Sequence, residues 1–211
     1  MSKAFLQTQA LFLALLVLTG TAGADLLADY RFEGNLNDNG GNPSGPFNGS
    51  PDGNPTYEAG VYGQAISLDG DDHIDCGNNG IFNTGGQITV ACWIKVASFT
   101  KTWQAVLTKG DDSWRLHRQG DTNNINFTCN GLSTTSVTAG AVNVNDGQWH
   151  HVAGVYNGSE IAIYIDGNKE NGQPATGTIN TSTYPVHIGD NAQHANVREF
   201  HGLIDDVLIY N

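Results

Sequence analysis

Two aspartates stand side by side near the end of the chain, in "GLIDDVLIYN", where Leu203, Ile204, Val207, Leu208 and Ile209 otherwise spell a core strand. A carboxylate in such a run is costly unless a cation or hydrogen-bond donors meet it. Period-two alternation sends Asp205 and Asp206 to opposite faces, so without a bulge only one of them needs a buried partner. That partner is either a metal ion or a base such as Arg31 or Arg198. The run "DGDDHID" over Asp69–Asp75 is a second acidic candidate, but Gly80 stands where an EF-hand loop needs its closing Glu, and the run reads as a solvated turn. "WHHVAG" offers His150 and His151, which alternation again sends apart and not to one zinc ion. Cys76, Cys92 and Cys129 are odd in number and widely spaced, which fits neither a disulfide framework nor a zinc signature. Cys92, within "ITVACWIKV", reads as a small buried apolar residue, with a single Cys92–Cys129 bridge as the alternative.

The elements that must position these groups come from a chain of 211 residues, enough for one medium domain with a sizeable core. Residues 1–24 read as a secretory signal peptide: Lys3 is the positive start, "ALFLALLVL" the apolar stretch, and Ala22 and Ala24 the small-residue cleavage pattern. The stretch is too short for a membrane anchor and no second candidate span follows it, so residues 25–211 are expected to be one exported domain, secreted or at the cell surface. Removing the leader, whose only charged residue is Lys3, takes the formal charge from −12 to −13. Such a chain lacks the basic patches that nucleic acid or an anionic membrane requires. Carboxylates in excess either hold calcium or keep an exported protein soluble.

Helical periodicity is nearly absent. Short apolar or alternating runs recur instead, separated by Gly, Asn and Asp: "LLADYRFEG", "QAISLDG", "HIDCG", "QITVACWIKV", "AVLTKG", "WRLHRQ", "INFTCNG", "QWHHVAGVYN", "EIAIYIDG", "PVHIGD" and "GLIDDVLIYN". Asp166-Gly167 in "YIDGNK" signals a type I′ hairpin turn. Strands at this spacing predict an all-β, two-sheet antiparallel sandwich or jelly roll. The segment from Asn35 to Gly60 is too long and too rich in Gly, Asn and Pro for a hairpin loop, and it carries Phe47 and Tyr57 as anchors.

Taken in order, "YRFEGNLNDNGG…FNGSPDG", "GVYGQAISLDGDDHIDCG", "ITVACWIKV", "VLTKGDDSWRLHRQG", "GQWHHVAGVYNGSEIAIYIDG" and "HIGD…FHGLIDDVLIY" resemble the laminin-G-like jelly rolls of the concanavalin A-like lectin/glucanase superfamily, over nearly the whole of residues 26–211. The resemblance implies two stacked sheets, one of them concave, with the first and last strands side by side. That adjacency brings "YRFEG" to "GLIDDV", where related domains hold a structural calcium. It implies Asp205 as a ligand, Glu33 as the first-strand ligand, and Asn48 and Gly49 of "FNGS" as loop ligands that tie the long segment down.

Glycosidases on this fold set two carboxylates on one strand in a Glu-x-Asp-x-x-Glu pattern. The five glutamates of this sequence, Glu33, Glu58, Glu160, Glu170 and Glu199, do not form it, and the Arg- and His-bearing motifs of polysaccharide lyases on this fold are missing too. A non-catalytic binding module is therefore expected, with glycoside hydrolase or polysaccharide lyase as the lesser alternative. Strand alternation gives Trp93 and Lys95, Arg115 and His117, and Asn126 and Thr128 as polar-face residues, with Trp103 at a rim. If they line the concave sheet they form a trough for a polysaccharide or glycan, whose hydroxyls want planar polar partners and whose apolar face stacks on indole. The alternative partner is a cell-surface protein gripped by the loops.

Overall fold

The computed structural model describes residues 24–211, so the leader read over residues 1–24 lies, but for its last residue, outside the described residues. Fifteen strands follow in chain order: β1 (Leu26–Tyr30), β2 (Ser50–Asp52), β3 (Thr56–Ala59), β4 (Gln64–Asp69), β5 (His73–Asp75), β6 (Ile88–Val96), β7 (Ala105–Thr108), β8 (Trp114–Arg118), β9 (Ile125–Cys129), β10 (Ser136–Thr138), β11 (His150–Tyr156), β12 (Glu160–Ile165), β13 (Asn168–Pro174), β14 (His187–Ile188) and β15 (His201–Tyr210). They build two antiparallel sheets. One runs β13-β12-β11-β6-β15-β4-β3, with β1 also paired to β15; the other runs β10-β9-β8-β7-β14-β5-β2.

The core lies between the sheets and follows from alternation. Val90, Cys92, Ile94 and Val96 of β6 point inward, as do Trp114 and Leu116 of β8 and Ile125, Phe127 and Cys129 of β9. All three cysteines are buried and unbridged. Trp114 is fully buried, and its indole N–H donates to the Phe82 carbonyl at 2.9 Å. Gly154 of β11 faces the Phe127 ring so closely that a Cβ built there would lie 2.2 Å from it. Asp166 and Gly167 both take positive φ, 50° and 80°, as the type I′ turn requires.

The first and last strands do lie side by side: Ala28 faces Ile209 and Tyr30 faces Val207. The segment 35–60 is not one loop, since β2 and β3 form within it. It is held where expected, with Phe47 and Tyr57 packed against the core and the Tyr30 hydroxyl donating to the Phe47 carbonyl at 2.6 Å.

Candidate functional site

Directly opposed residues on paired strands share a face, which makes the outer surface of the seven-stranded sheet readable rung by rung. Ser136, Thr128, Arg115, Thr108, His187, Asp75 and Ser50 are opposed in turn across all seven strands, from β10 to β2. A second rung sets Thr138, Asn126 and His117 together. One face of the sandwich is therefore polar from edge to edge, while the intervening rungs fill the core.

This face has two zones. Over β8–β10 it is closed on itself. His117 Nδ1 lies 2.7 Å from the Arg118 carbonyl and Nε2 lies 3.3 Å from Thr128 Oγ1; Thr128 donates to Asn126 Oδ1 at 2.7 Å, and Asn126 donates to Thr138 Oγ1 at 2.8 Å. The Trp103 ring sits over His117, its centroid 5.6 Å away. Burial, with Arg115 adding to it, pushes His117 down to about 3, so the imidazole stays neutral and acts as a fixed hydrogen-bonding group. Arg115 meets the Asp111 carbonyl at 2.6 Å, and the Asp111 carboxylate also binds Arg198 at 2.7 Å and His194 at 2.9 Å.

Five of the seven expected ligand-binding residues thus come together: Trp103, Arg115, His117, Asn126 and Thr128. Trp93 and Lys95 do not join them. They lie on β6, in the other sheet, where Trp93 opposes His151 and Asp205 and its ring meets the His151 ring edge-on at 5.2 Å. Alternation along β6 gave the right face of that strand but not the sheet to which it belongs. Pairing with β11 and β15 decides that, and pairing is non-local.

Over β2, β5 and β14 the face opens into a cavity of about 420 Å³, lined among others by Asp52, His73, Asp75, Tyr184, His187 and Asn196. His73 and His187 stack with centroids 4.3 Å apart. Just beneath them, fully buried, lies Asp190. Burial raises the Asp190 carboxyl, while burial and the neighbouring His73 push His187 down to about 4. Sequence reasoning passed over these three. The signal was present: alternation in "HID" sets His73 and Asp75 on one face, and "HIGD" brings Asp190 back under His187 through Gly189, whose φ is +87°.

The aspartate pair resolves differently. A bulge between Asp205 and Leu208 breaks the β15–β6 register, with Asp206 at a φ of +46°. Asp205 is fully buried; Oδ2 accepts from the Val61 and Tyr62 amides at 2.9 and 3.4 Å, and Oδ1 accepts from the Asp206 amide at 2.9 Å. Neither Arg31 nor Arg198 pairs with it; they bind Asp29 and Asp111. Burial, then the Asp206 charge, pushes its carboxyl up to about 7 against the pull of those amides. Asp206 is half-buried and also raised, to about 6, by burial with Asp29 and Glu33 adding and Arg31 opposing. Glu33 accepts from the Gln64 amide at 3.3 Å. Asp205 and Glu33 therefore press on the same turn: a Cβ at Gly60 would lie 2.4 Å from Asp205 Oδ2, and one at Gly63 would lie 2.0 Å from Glu33 Oε1. Asn48 and Gly49 serve another network, Asn48 Oδ1 accepting from the Asp38 amide and the Gly49 amide donating to Leu36. In the Asp69–Asp75 run, Asp72 accepts from the Asn54 and Asp69 amides, as a turn residue does.

Two stacked antiparallel sheets, closed by pairing of the chain's ends and carrying one polar outer face, define a jelly-roll sandwich. The chain belongs to the concanavalin A-like lectin/glucanases superfamily, a laminin-G model of which matches residues 68–211. Among solved structures it is similar to domain 4 of AbnA, an extracellular GH43 arabinanase from Geobacillus stearothermophilus solved with arabinotriose. The identity there is 23%, over 90% of this chain and 94% of that one, at a TM-score of 0.70. The binding domain of Paraclostridial Mosquitocidal Protein 1 aligns at 15% identity and a TM-score of 0.67, over 88% of this chain and 48% of that one. Botulinum neurotoxin type C, whose cell entry depends on two ganglioside molecules, aligns at 13% and 0.57, over 88% and 47%. These likenesses establish the shared fold. No curated protein sequence matches.

Proposed function

We propose that the chain is an exported, non-catalytic carbohydrate-binding module that takes its glycan in the cavity over β2, β5 and β14. The observation that carries this reading is the cavity itself: about 420 Å³ of open space on the polar face, bordered by carboxylate, imidazole, amide and phenol groups. The expected trough over β8 and β9 is filled by its own hydrogen bonds, so it supports the sheet rather than receiving a sugar. The arabinotriose-bound neighbour supports a glycan as occupant. A protein partner gripped by apolar loops is less favoured, since Trp103 and Val197 are the exposed large apolar side chains among the described residues.

A glycan array tests this reading, followed by titration of the best hit into the parent protein and into Ala195→Trp, which fills the cavity mouth. Binding weakened at least tenfold in the variant is expected. Unchanged binding, or no glycan bound at millimolar exposure, sinks the reading.

We also assign a structural calcium to the turn between Glu33 and Asp205. Asp205 and Glu33 both bring carboxylate oxygens against this turn, with the Asp206 charge nearby, and oxygen donors suit a hard cation better than zinc. The ion would supply positive charge to a cluster in which Arg31 is the nearby base. Calcium at a hundredfold excess over its dissociation constant stabilises by about 2.7 kcal/mol, so melting with and without chelator should differ by roughly 5–10 °C. An unmoved midpoint removes the assignment.

A further inference from the structure

Beneath the cavity the structure leaves four polar atoms in an unusual state. His73 Nδ1, His187 Nδ1 and both carboxylate oxygens of Asp190 are buried and have no hydrogen-bond partner. The main-chain amides of Asn191 and Asn196 approach the Asp190 carboxylate without bonding geometry. His73 and His187 are 7% and 6% exposed and Asp190 is 0% exposed. A buried unpaired polar group is costly, and a buried unpaired carboxylate more so. Yet all three side chains converge, with one ligand atom from each lying within 4.8 Å of the other two.

Their placement is not adjustable surface. The Thr108 hydroxyl donates to the Asp190 carbonyl at 2.8 Å, and the Gly189 amide and carbonyl are bonded to Val106 and Phe200. A Cβ at Gly189 would lie 2.3 Å from Leu68 Cδ1, so the turn that returns Asp190 under His187 admits only glycine without repacking.

We propose that His73, His187 and Asp190 form a three-ligand site for a zinc-class divalent metal ion, with its remaining coordination position open to the cavity. Two imidazole nitrogens and one carboxylate are the donor set that zinc uses when it keeps a position for water or another oxygen ligand. An all-oxygen site such as the one at Asp205 suits calcium instead. His187 Nδ1 and Asp190 Oδ2 are 4.0 Å apart, and ligands around a tetrahedral zinc sit about 3.3 Å apart. Metal binding would draw the three ligand atoms, now within 4.8 Å of one another, closer together. A carboxylate stands near the position of an outer partner: Asp75 Oδ2 lies 3.9 Å from His187 Nε2, the ring nitrogen other than the one nearest Asp190, and would orient a ligating histidine if it closed to hydrogen-bond distance. One ion would satisfy what the protein leaves unpaired. The site stands whether or not the cavity takes a sugar, and it is separate from the calcium turn.

The test uses the full chain, stripped with chelator and kept in excess calcium. Titration with Co²⁺, followed by visible absorption, should give the intense spectrum of a low-coordinate nitrogen–oxygen site at one ion per chain, and Zn²⁺ should displace it. Calorimetry with Zn²⁺ should give the same stoichiometry. His187→Gln and Asp190→Asn, each checked for fold by circular dichroism, should lose saturable binding. Asp75→Asn should weaken it by roughly 10–100-fold. His150→Gln, on the opposite sheet, should leave it unchanged. A six-coordinate cobalt spectrum in the parent protein overturns the proposal without reference to any variant. So does zinc binding that survives in folded His187→Gln or disappears in His150→Gln.

Discussion

Replacing Trp114 by alanine lowers the melting midpoint by roughly 6–20 °C. The side chain is fully buried in β8, and large-to-small changes of this kind cost about 3–5 kcal/mol through lost burial and the cavity left behind. For a domain of this length each kcal/mol moves the midpoint by about 2–4 °C. The indole N–H also holds the Phe82 carbonyl, and Phe82 packs edge-on to Phe47 at 5.0 Å. Trp114 therefore secures the long segment before β3 as well as the core. Trp114→Phe separates the two contributions: it keeps most of the volume and loses the hydrogen bond, worth about 1 kcal/mol net. Urea unfolding of the three proteins measures this. A loss below 1 kcal/mol for the alanine variant would contradict the packing described.

Gly154→Val is expected to cost about 3 kcal/mol for the opposite reason, too much atom rather than too little. The Phe127 ring occupies the space a Cβ would take, and the two residues belong to facing sheets. Overpacking a core typically costs about 1–3 kcal/mol, and a branched side chain on a central strand sits at the upper end. β11 cannot yield, because it is paired on both edges, to β6 and β12. Gly154→Val combined with Phe127→Ala should recover part of the loss, and a double-mutant cycle by chemical denaturation reads the coupling. Additive losses would show that the two residues do not meet.

The eleven runs read from the sequence all became strands. The four strands missed are β2, β3, β10 and β13, and each is the outer strand of a sheet. An edge strand has one side and one rim in water, so "NKENGQP" needs no apolar alternation to form β13. Single-strand periodicity reads a core face, and at an edge there is little core to read. Trp93 and Lys95 show a related limit, because the sequence of β6 says which side chains alternate but nothing about which sheet claims the strand. The bulge at Asp205–Leu208 lies where β15 passes from pairing with β4 to pairing with β1, and alternation alone could only state what its absence would imply. His73, His187 and Asp190 were hidden for a third reason. His73 lies far in sequence from His187 and Asp190, and only the pairing of His187 with Asp75 brings the two segments together. The groups of the candidate sites are the ones that topology assembles, whereas the core is assembled by local pattern.

The pairing of β1 with β15 also sets how the domain meets mechanical load. The Asp25 amide donates to Asn211 Oδ1 at 2.9 Å, and the Asn211 amide donates to the Asp25 carbonyl at 3.1 Å. A pull applied at these two residues does not shear the sandwich. It opens the β1–β15 ladder from one end, one rung at a time, because the two residues stand at the same end of an antiparallel pair. Force fed in at this point would peel the first strand away while the sheet carrying the cavity, which contains neither strand, stays whole.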